Sequence, residues 1–282
     1  MAMFNQLALS ALTRNEEDAG TSSTLNVTVN VDEEDVLDRD FDFDLDDGEA
    51  YIRITSTLPT PFDSSGLTNS SIRVGIRDDD AWAPQHILLF GPAQPDFQPG
   101  RTIALAMETD LSHWLSIDPS EGHLTMPLRL VGPGDSTTQI RRVLLLVDTA
   151  WSALGPSGTG GNTGTDSDIE LEIIAGGNLV LKQQIHDTSQ PDLERGTTNW
   201  YFLDPAAPFT RGEVLSNGGI RLSILGSDAW RPQELFVFGL DTATGRPNNV
   251  VSLVSLPIWS EGWMSTDLTE GKPAVDLPVV SV

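Results

Sequence analysis

One stretch of this chain occurs twice, and this duplication limits the possible folds more than any other feature. The first copy reads LTNSSIRVGIRDDDAWAPQHILLFG from Leu67 to Gly91, and the second reads LSNGGIRLSILGSDAWRPQELFVFG from Leu215 to Gly239. Twelve of the 25 positions are identical at a constant offset of 148, whereas unrelated segments would match at roughly one or two. The sequence therefore predicts two copies of one structural unit.

Shorter matches extend the duplication toward both ends of the chain. The motif DLERG from Asp192 aligns with DLDDG from Asp44 at the same offset, and WMSTD from Trp263 aligns with WLSID from Trp114 at an offset of 149. A length of 282 residues allows two such units, each large enough for its own core. We predict two domains, 1–133 and 134–282, joined by the linker GPGDSTT at 132–138.

The local pattern predicts strands and no helix of useful length. Residues 72–76 and 220–224 alternate between apolar and polar types, as half-buried strands do, and 87–90 and 235–238 are rich in strand-forming residues. Similar runs predict strands at 4–12, 25–31, 51–54, 102–107, 126–131, 140–147 and 169–174. Many short strands separated by turn signals indicate an all-β fold of two tandem antiparallel β-sandwich domains.

An Asp-Ala-Trp-x-Pro corner separates the paired strands in each copy, at 80–84 and 228–232. Proline ends regular strand pairing there. Trp82 and Trp230 are interpreted as core residues under a loop, with a ligand- or membrane-facing tip as the alternative.

The chain is strongly acidic, with a formal net charge of −25. Residues 1–133 contribute a net −16 and residues 134–282 a net −9. This balance excludes a basic footprint for nucleic acid and disfavours direct adsorption to anionic lipid. Clustered acids favour hard cations, although adaptation to a salty environment is an alternative source of part of the excess charge.

No motif indicates catalysis. There is no cysteine and no Gly-x-Ser-x-Gly elbow, and the four histidines, His86, His113, His123 and His186, show no metal-ligand spacing. We therefore expect no enzyme activity. No apolar run reaches the length of a membrane span, and the apolar start, residues 1–12, lacks a basic region and is interpreted as a strand and not a signal peptide. The compartment stays open.

Five motifs, in the same order in both halves, resemble those of a PLAT domain. The second half has GTDSDIELEI, DLERGTTNWYFL, GIRLSI, SDAWRPQELFVFG and GWMSTD, and the first half has a weaker series from GTSSTLNVTV to HWLSID. PLAT domains are β-sandwiches found beside lipoxygenase and lipase catalytic domains and in some bacterial toxins. The resemblance implies two four-stranded sheets per domain, with loops that bind Ca²⁺ and meet lipid or a protein partner.

These loops supply the candidate calcium ligands, because Ca²⁺ takes six to eight oxygen ligands from flexible loops. By the resemblance, the loops gather at one end of each sandwich. In the second domain the predicted metal residues are Gly164, Thr165, Asp166, Asp187, Asp192, Glu194 and Asp228. In the first domain they are Gly20, Thr21, Asp40, Asp42, Asp44, Asp46, Asp79 and Asp80. Ser22 stands where the second domain has Asp166, which weakens the first site, and a solvated acidic rim is the alternative for both.

Two functions are compatible with these features. The first is a non-catalytic, calcium-dependent binding module that engages lipid or a protein partner. The second is a structural or assembly subunit of a fibre, particle or surface layer, in which tandem domains offer repeated contact surfaces and Ca²⁺ stabilises the loops. The identity of the partner and the oligomeric state stay open.

Overall fold

The computed structural model of this chain describes residues 3–31, 34–42, 45–54, 58, 61–92, 102–150, 153–154, 160–161, 163–186 and 193–281. The chain forms two compact units, and each is considered by itself. Unit 1 is built from the described parts of Met1–Phe97 and Thr102–Pro133 together with Gly245–Asn248, and unit 2 contains Gly134–Thr244 and Asn249–Val282.

Unit 1 is formed by antiparallel strands in two layers. The strands are β1 (Met3–Phe4), β2 (Ala8–Thr13), β3 (Thr24–Val31), β4 (Glu34–Asp42), β5 (Ala50–Ile54), β6 (Phe62–Asp63), β7 (Ile72–Ile76), β8 (Pro84–Pro92), β9 (Thr102–Glu108) and β10 (Thr125–Pro127). One layer has the order β10-β7-β3-β4, and the other has β5-β2-β8-β9. A short pair, β1-β6, and a 3-10 turn at Ser64–Gly66 complete the unit.

The alternating pattern of β3 explains the core of unit 1. Leu25, Val27 and Val29 are fully buried, while the residues between them are partly exposed. They belong to the same apolar cluster as Leu9 of β2 and Leu89 of β8 in the other layer. Side chains from two facing sheets therefore fill one core, which is the arrangement of a β-sandwich.

Unit 2 repeats this architecture. Its elements are β11 (Arg142–Thr149), β12 (Ala153–Leu154), β13 (Gly160–Gly161), β14 (Ile169–Ala175), β15 (Asn178–Ile185), β16 (Thr198–Leu203), α1 (Arg211–Asn217), β17 (Gly219–Ile224), β18 (Pro232–Leu240), β19 (Val250–Leu256) and β20 (Ala274–Leu277). The layers are ordered β15-β14-β17-β20 and β19-β18-β11-β16. The predicted all-β fold of two tandem antiparallel sandwiches is confirmed.

Helix α1 is the main local feature that the sequence patterns missed. Its seven residues are too few to show an apolar period, but Thr210 and Glu213 form a capping box. The Thr210 hydroxyl accepts from the Glu213 amide at 3.2 Å, and the Glu213 carboxylate accepts from the Thr210 amide at 2.7 Å. Within the described parts of the chain, no helix has the length and apolar character needed to cross a membrane.

The acidic segment after β3 forms a strand that includes the candidate metal ligands Asp40 and Asp42, and its pairing with β3 shifts in register between Val29 and Asn30. Leu37 and Phe41 of β4 are buried, and Asp38 and Asp40 lie on its exposed face. Antiparallel pairing places Asp40 opposite Asn26 of β3. The buried Leu37 and Phe41 favour this register, because a shift by one residue would bury Asp38 and Asp40.

Candidate metal-binding loop ends

Loops from both layers meet at one end of each sandwich. In unit 2, β14, β16, β18 and β20 begin at this end, and β11, β17 and β19 finish there, as the pairing of Ile169 with Ile224 and of Leu235 with Leu256 shows. We call residues 163–168, 193–197, 225–231 and 257–273 the loop end of unit 2. The equivalent loop end of unit 1 consists of residues 18–23, 45–49, 77–83 and 109–124.

The tryptophan of each repeated corner anchors its loop end from inside. Trp82 is fully buried and donates from Nε1 to the Thr13 hydroxyl at 3.0 Å. Its backbone amide and carbonyl also pair with Leu115, each at 2.8 Å. Trp230 makes the matching bond to Thr149 at 3.1 Å and pairs with Met264. Both tryptophans are core residues, and neither forms an exposed tip.

One aspartate ties two loops together in unit 1. Asp80 accepts from the Ser22 amide through Oδ2 at 2.9 Å and from the Ala81 amide through Oδ1 at 3.0 Å. A second link runs from the Thr24 amide to Asp78 Oδ2 at 2.9 Å. Backbone N–H groups therefore donate hydrogen bonds that partly stabilise the negative charge of these crowded carboxylates.

The same link exists in unit 2 with one informative change. Asp228 accepts from the Asp166 amide through Oδ2 at 3.3 Å and from the Ala229 amide through Oδ1 at 3.0 Å. The Ser167 amide donates to the Thr165 hydroxyl at 3.0 Å, as Ser23 does to Thr21 in unit 1. Because Asp166 replaces Ser22, unit 2 carries an additional carboxylate on the residue whose amide is bound by Asp228.

A glycine in each unit allows the first loop to approach the second. A Cβ on Gly20 would collide with the carbonyl oxygen of Leu45. A Cβ on Gly164 would lie 2.7 Å from the Arg195 amide nitrogen and 2.9 Å from Glu194 Cα. The glycines are therefore required for close packing of the loop backbones.

An open cavity of about 530 Å³ lies between these loops in unit 1. Its lining combines four carboxylates with backbone and hydroxyl oxygens, a donor set suited to a hard cation. The lining residues are Asp18, Gly20, Thr21, Ser22, Leu45, Asp46, Asp47 and Asp80. The Gly20 amide donates to Asp47 Oδ1 at 2.8 Å, so one of these carboxylates is held in place by the backbone.

The structure brings most predicted site residues together but places others elsewhere. Gly20, Thr21, Asp46 and Asp80 line the cavity of unit 1, whereas the exposed Asp79 does not. In unit 2, Gly164 packs on Glu194, the Thr165 amide donates to the Leu193 carbonyl at 3.2 Å, and Asp166 contacts Asp228. Asp44, Asp187 and Asp192 lie outside the described residues, as does the side chain of Asp42.

Asp40, one of the predicted metal residues, lies on a strand and outside the loops that line the cavity. Asp40 lies on β4, two residues before Asp42, where the strand ends. It is therefore about 7 Å farther than Asp42 from the loop that follows the strand. Its Oδ1 accepts from the Asn26 amide group at 2.7 Å and from Arg77 Nε at 2.8 Å. The Asn26 hydrogen bond and the Arg77 guanidinium lower the pKa of Asp40. Arg77 also pairs with Asp38, so one guanidinium serves two exposed carboxylates on this strand.

Two cavity residues were missed by the sequence reasoning. Asp18 precedes the Gly20-Thr21 pair and adopts a left-handed backbone, with φ of 64°. Asp47 was recognised as part of a repeated motif but not as a site residue. The sequence signal for Asp18 was an acidic residue in a tight turn just before Gly-Thr, because aspartate tolerates the left-handed backbone conformation of such a turn.

A further loop at each end is held by a self-capping aspartate. The Ser120 hydroxyl and amide donate to Asp118 Oδ1 at 2.7 Å and 2.8 Å, and these bonds lower the pKa of Asp118. In unit 2, the Thr269 amide and hydroxyl each donate to Asp267 Oδ1 at 2.8 Å and lower the pKa of that carboxyl. These carboxylates shape the turn and stay ionised.

The loop end of unit 2 also carries three exposed apolar side chains, one on the loop 225–231 and two on the loop 257–273. Leu225 is 45% exposed, Ile258 is 66% exposed and Leu268 is 77% exposed. The Thr266 hydroxyl donates to the Gly226 carbonyl at 2.8 Å, so the two loops are in contact. An apolar tip rimmed by polar residues is typical of a surface that meets a partner or a lipid.

No group of three or more histidine, aspartate or glutamate side chains in the described parts of the chain is arranged to hold a metal ion. The cavity of unit 1 therefore offers suitable ligand types without a preformed coordination sphere. Calcium loops adjust their ligands more readily than magnesium sites do, because Ca²⁺ accepts variable geometry.

Comparison with known proteins finds a structural likeness at low similarity. No family model matches this sequence, and no curated protein does so either. Among solved structures, the alpha toxin from Clostridium absonum is similar to this chain, with 18% sequence identity and a TM-score of 0.35. The similarity covers 51% of this chain and 33% of the toxin, so the chain spans about a third of that protein's length.

Proposed function

We propose that this chain is a non-catalytic binding module that takes Ca²⁺ at its loop ends and then contacts a lipid surface. The observation that carries the proposal is the oxygen-lined cavity of unit 1, where four carboxylates surround a space between loops. Each half resembles a PLAT domain in its motifs, and that resemblance supports the same function.

The first step of the proposal is cation binding at the acidic loops. Asp46 and Asp47 of unit 1 lie on a loop that Gly20 approaches closely, and Asp80, on another loop, accepts from the Ser22 amide. A divalent cation between them reduces the repulsion among their carboxylates and draws the loops together. In unit 2, Glu194 and Asp228 stand at the positions of Asp46 and Asp80, whereas Arg195 replaces Asp47 and Asp166 replaces Ser22.

The second step is attachment through the apolar tip of unit 2. Leu225, Ile258 and Leu268 expose apolar surface beside acidic loops. Carboxylates near this tip repel anionic headgroups, whereas bound Ca²⁺ removes this repulsion and bridges to phosphate oxygens. The proposed binding partner is therefore the surface of a phospholipid bilayer, and attachment to it requires calcium.

Vesicle sedimentation tests this function directly. The chain is mixed with phosphatidylcholine vesicles and with vesicles containing phosphatidylserine, in about 1 mM Ca²⁺ and in chelator. The proposal predicts co-sedimentation in calcium and none in chelator. Equal partitioning in both conditions, or none in either, contradicts it.

A second candidate function, a subunit of a self-assembling structure, has one specific observation in its favour. At the opposite end of unit 2, Ile174, Leu179 and Leu215 expose apolar surface. Ile174 and Leu179 are partners in the pairing of β14 with β15, and Ile174 also lines a cavity of about 630 Å³. Light scattering separates the two candidate functions, because an assembly subunit forms oligomers in the absence of vesicles. A monomer in both chelator and calcium contradicts the assembly function.

A further inference from the structure

Two histidines that are ten residues apart in the sequence meet at the loop end of unit 1. The ring centroids of His113 and His123 are 5.8 Å apart, and the planes are inclined by 48°. Both side chains are exposed. The spacing in the sequence gave no sign of a metal site, because the contact depends on the fold of the intervening loop.

The backbone holds the two histidines in neighbouring positions. The His123 amide donates to the Trp114 carbonyl at 3.0 Å, and the Ser116 amide donates to the His123 carbonyl at 3.0 Å. Arg14 Nη2 donates to the His113 carbonyl at 3.3 Å. Hydrogen bonds to the main chain therefore hold the two residues at neighbouring positions of the loop, and their exposed rings face each other there.

The ring separation suits two imidazoles that share one ion. A nitrogen ligand lies about 2.0–2.1 Å from Zn²⁺, which places each ring centroid about 3.2 Å from the metal. With one nitrogen of each ring directed at a shared ion, centroids 5.8 Å apart correspond to a ligand–metal–ligand angle of roughly 130°, which is wider than the tetrahedral value. Water molecules complete the coordination in this arrangement.

Unit 2 provides an internal comparison. At the positions of His113 and His123, unit 2 has Gly262 and Lys272, and the same main-chain bonds are present. The Lys272 amide donates to the Trp263 carbonyl at 3.1 Å, and the Ser265 amide donates to the Lys272 carbonyl at 2.9 Å. The scaffold is thus shared by both units, whereas the imidazole pair occurs in unit 1 and is not needed to fold this loop.

We propose that His113 and His123 form a binding site for a borderline divalent transition-metal ion such as Zn²⁺, Ni²⁺ or Cu²⁺. Imidazole nitrogen is a ligand for these ions, whereas Ca²⁺ selects oxygen. The site is chemically distinct from the acidic cavity, and its function is to fix the loop between the two histidines when the metal is bound.

The test is a titration of untagged full-length protein with Zn²⁺, followed by calorimetry and by NMR of the histidine side chains. The expected result is one ion per chain with perturbation of the His113 and His123 resonances. The variants His113→Gly and His123→Lys, which install the residues of unit 2, are expected to weaken binding at least tenfold without loss of folding. His186→Ala is the matched control and is expected to bind normally.

Three results would overturn the proposal. The first is the absence of Zn²⁺ binding to the folded protein, and the second is an unchanged affinity for Zn²⁺ in His123→Lys. The third is a loss of Zn²⁺ affinity in His186→Ala while His113→Gly retains it. A parallel titration with Ca²⁺ separates this site from the proposed function, because His123→Lys is expected to leave calcium binding unchanged. Failure of the calcium titration leaves the prediction for Zn²⁺ intact.

Discussion

The indole Nε1 of Trp230 donates a hydrogen bond to the Thr149 hydroxyl, 3.1 Å away, and both side chains are fully buried. Trp82 and Thr13 make the same contact in unit 1. The tryptophans are separated by 148 positions and the threonines by 136, so the contact has persisted while the intervening chain changed length. It joins the end of the first long strand of each unit to the repeated corner.

This contact predicts a stability effect that can be measured in both units. Thr149→Val keeps the shape of the side chain and leaves the indole N–H buried without an acceptor, which costs about 1–3 kcal/mol of unfolding free energy. Thr13→Val is expected to show a similar loss. Urea unfolding followed by tryptophan fluorescence measures the change, and a loss below about 0.5 kcal/mol in both variants would contradict the assigned role.

The close approach of the loop backbones predicts a requirement for glycine. Gly20→Ala places a Cβ against the Leu45 carbonyl oxygen, so the two loops have to move apart at a cost of about 1–3 kcal/mol. Gly219→Ala is the matched control, because a Cβ there meets no atom within 4 Å. Thermal unfolding compares the two, and an equal effect would show that the loop contact does not limit stability.

The ion pair on β4 predicts a pH dependence with a defined sign. Asn26 and Arg77 lower the pKa of Asp40 in the folded chain, so this carboxylate contributes stability above its unfolded pKa of about 3.9. The contribution is lost as the pH falls through the lower folded value. Arg77→Gln is expected to raise the pKa of Asp40, measured by NMR titration, and an unchanged titration curve would contradict the pairing.

The apolar tip predicts a change in attachment without a change in stability. Ile258→Ser together with Leu268→Ser is expected to reduce calcium-dependent binding to vesicles at least tenfold, because exposed side chains contribute to the membrane contact. Leu179→Ser and Leu215→Ser, at the opposite end of unit 2, are the matched controls. Equal loss of vesicle binding in both pairs of variants would show that the tip is not the contact surface.

The repeat and the alternating strands allowed the fold class to be predicted from the sequence. Strand β3 is an example, since Leu25, Val27 and Val29 are buried as their spacing indicated. Helix α1 was missed because a seven-residue helix shows no apolar period and is defined mainly by its capping box at Thr210. The alternation of apolar and polar residues identifies an element only where that element is long enough for the pattern to repeat.

The candidate site was predictable in its chemistry more than in its geometry. Asp80 and Asp46 were recognised from acidic loops and line the cavity, whereas Asp40 was assigned to the same group and lies on a strand beside Arg77. In a segment as acidic as this one, the sequence does not distinguish a carboxylate on a strand from a carboxylate in a loop. The meeting of His113 and His123 depends on how the loop between them folds back through backbone hydrogen bonds to Trp114 and Ser116, which the spacing of the two histidines does not indicate.

Calcium binding to the loop ends is the central claim, and isothermal titration calorimetry of the full chain with Ca²⁺ tests it most directly. Asp80→Asn and Asp228→Asn remove one charge from each loop end and serve to assign the sites. The account predicts saturable binding to the wild-type chain, with each substitution weakening or removing the site of its own unit. Absence of heat at millimolar Ca²⁺, or binding that neither substitution alters, would contradict it.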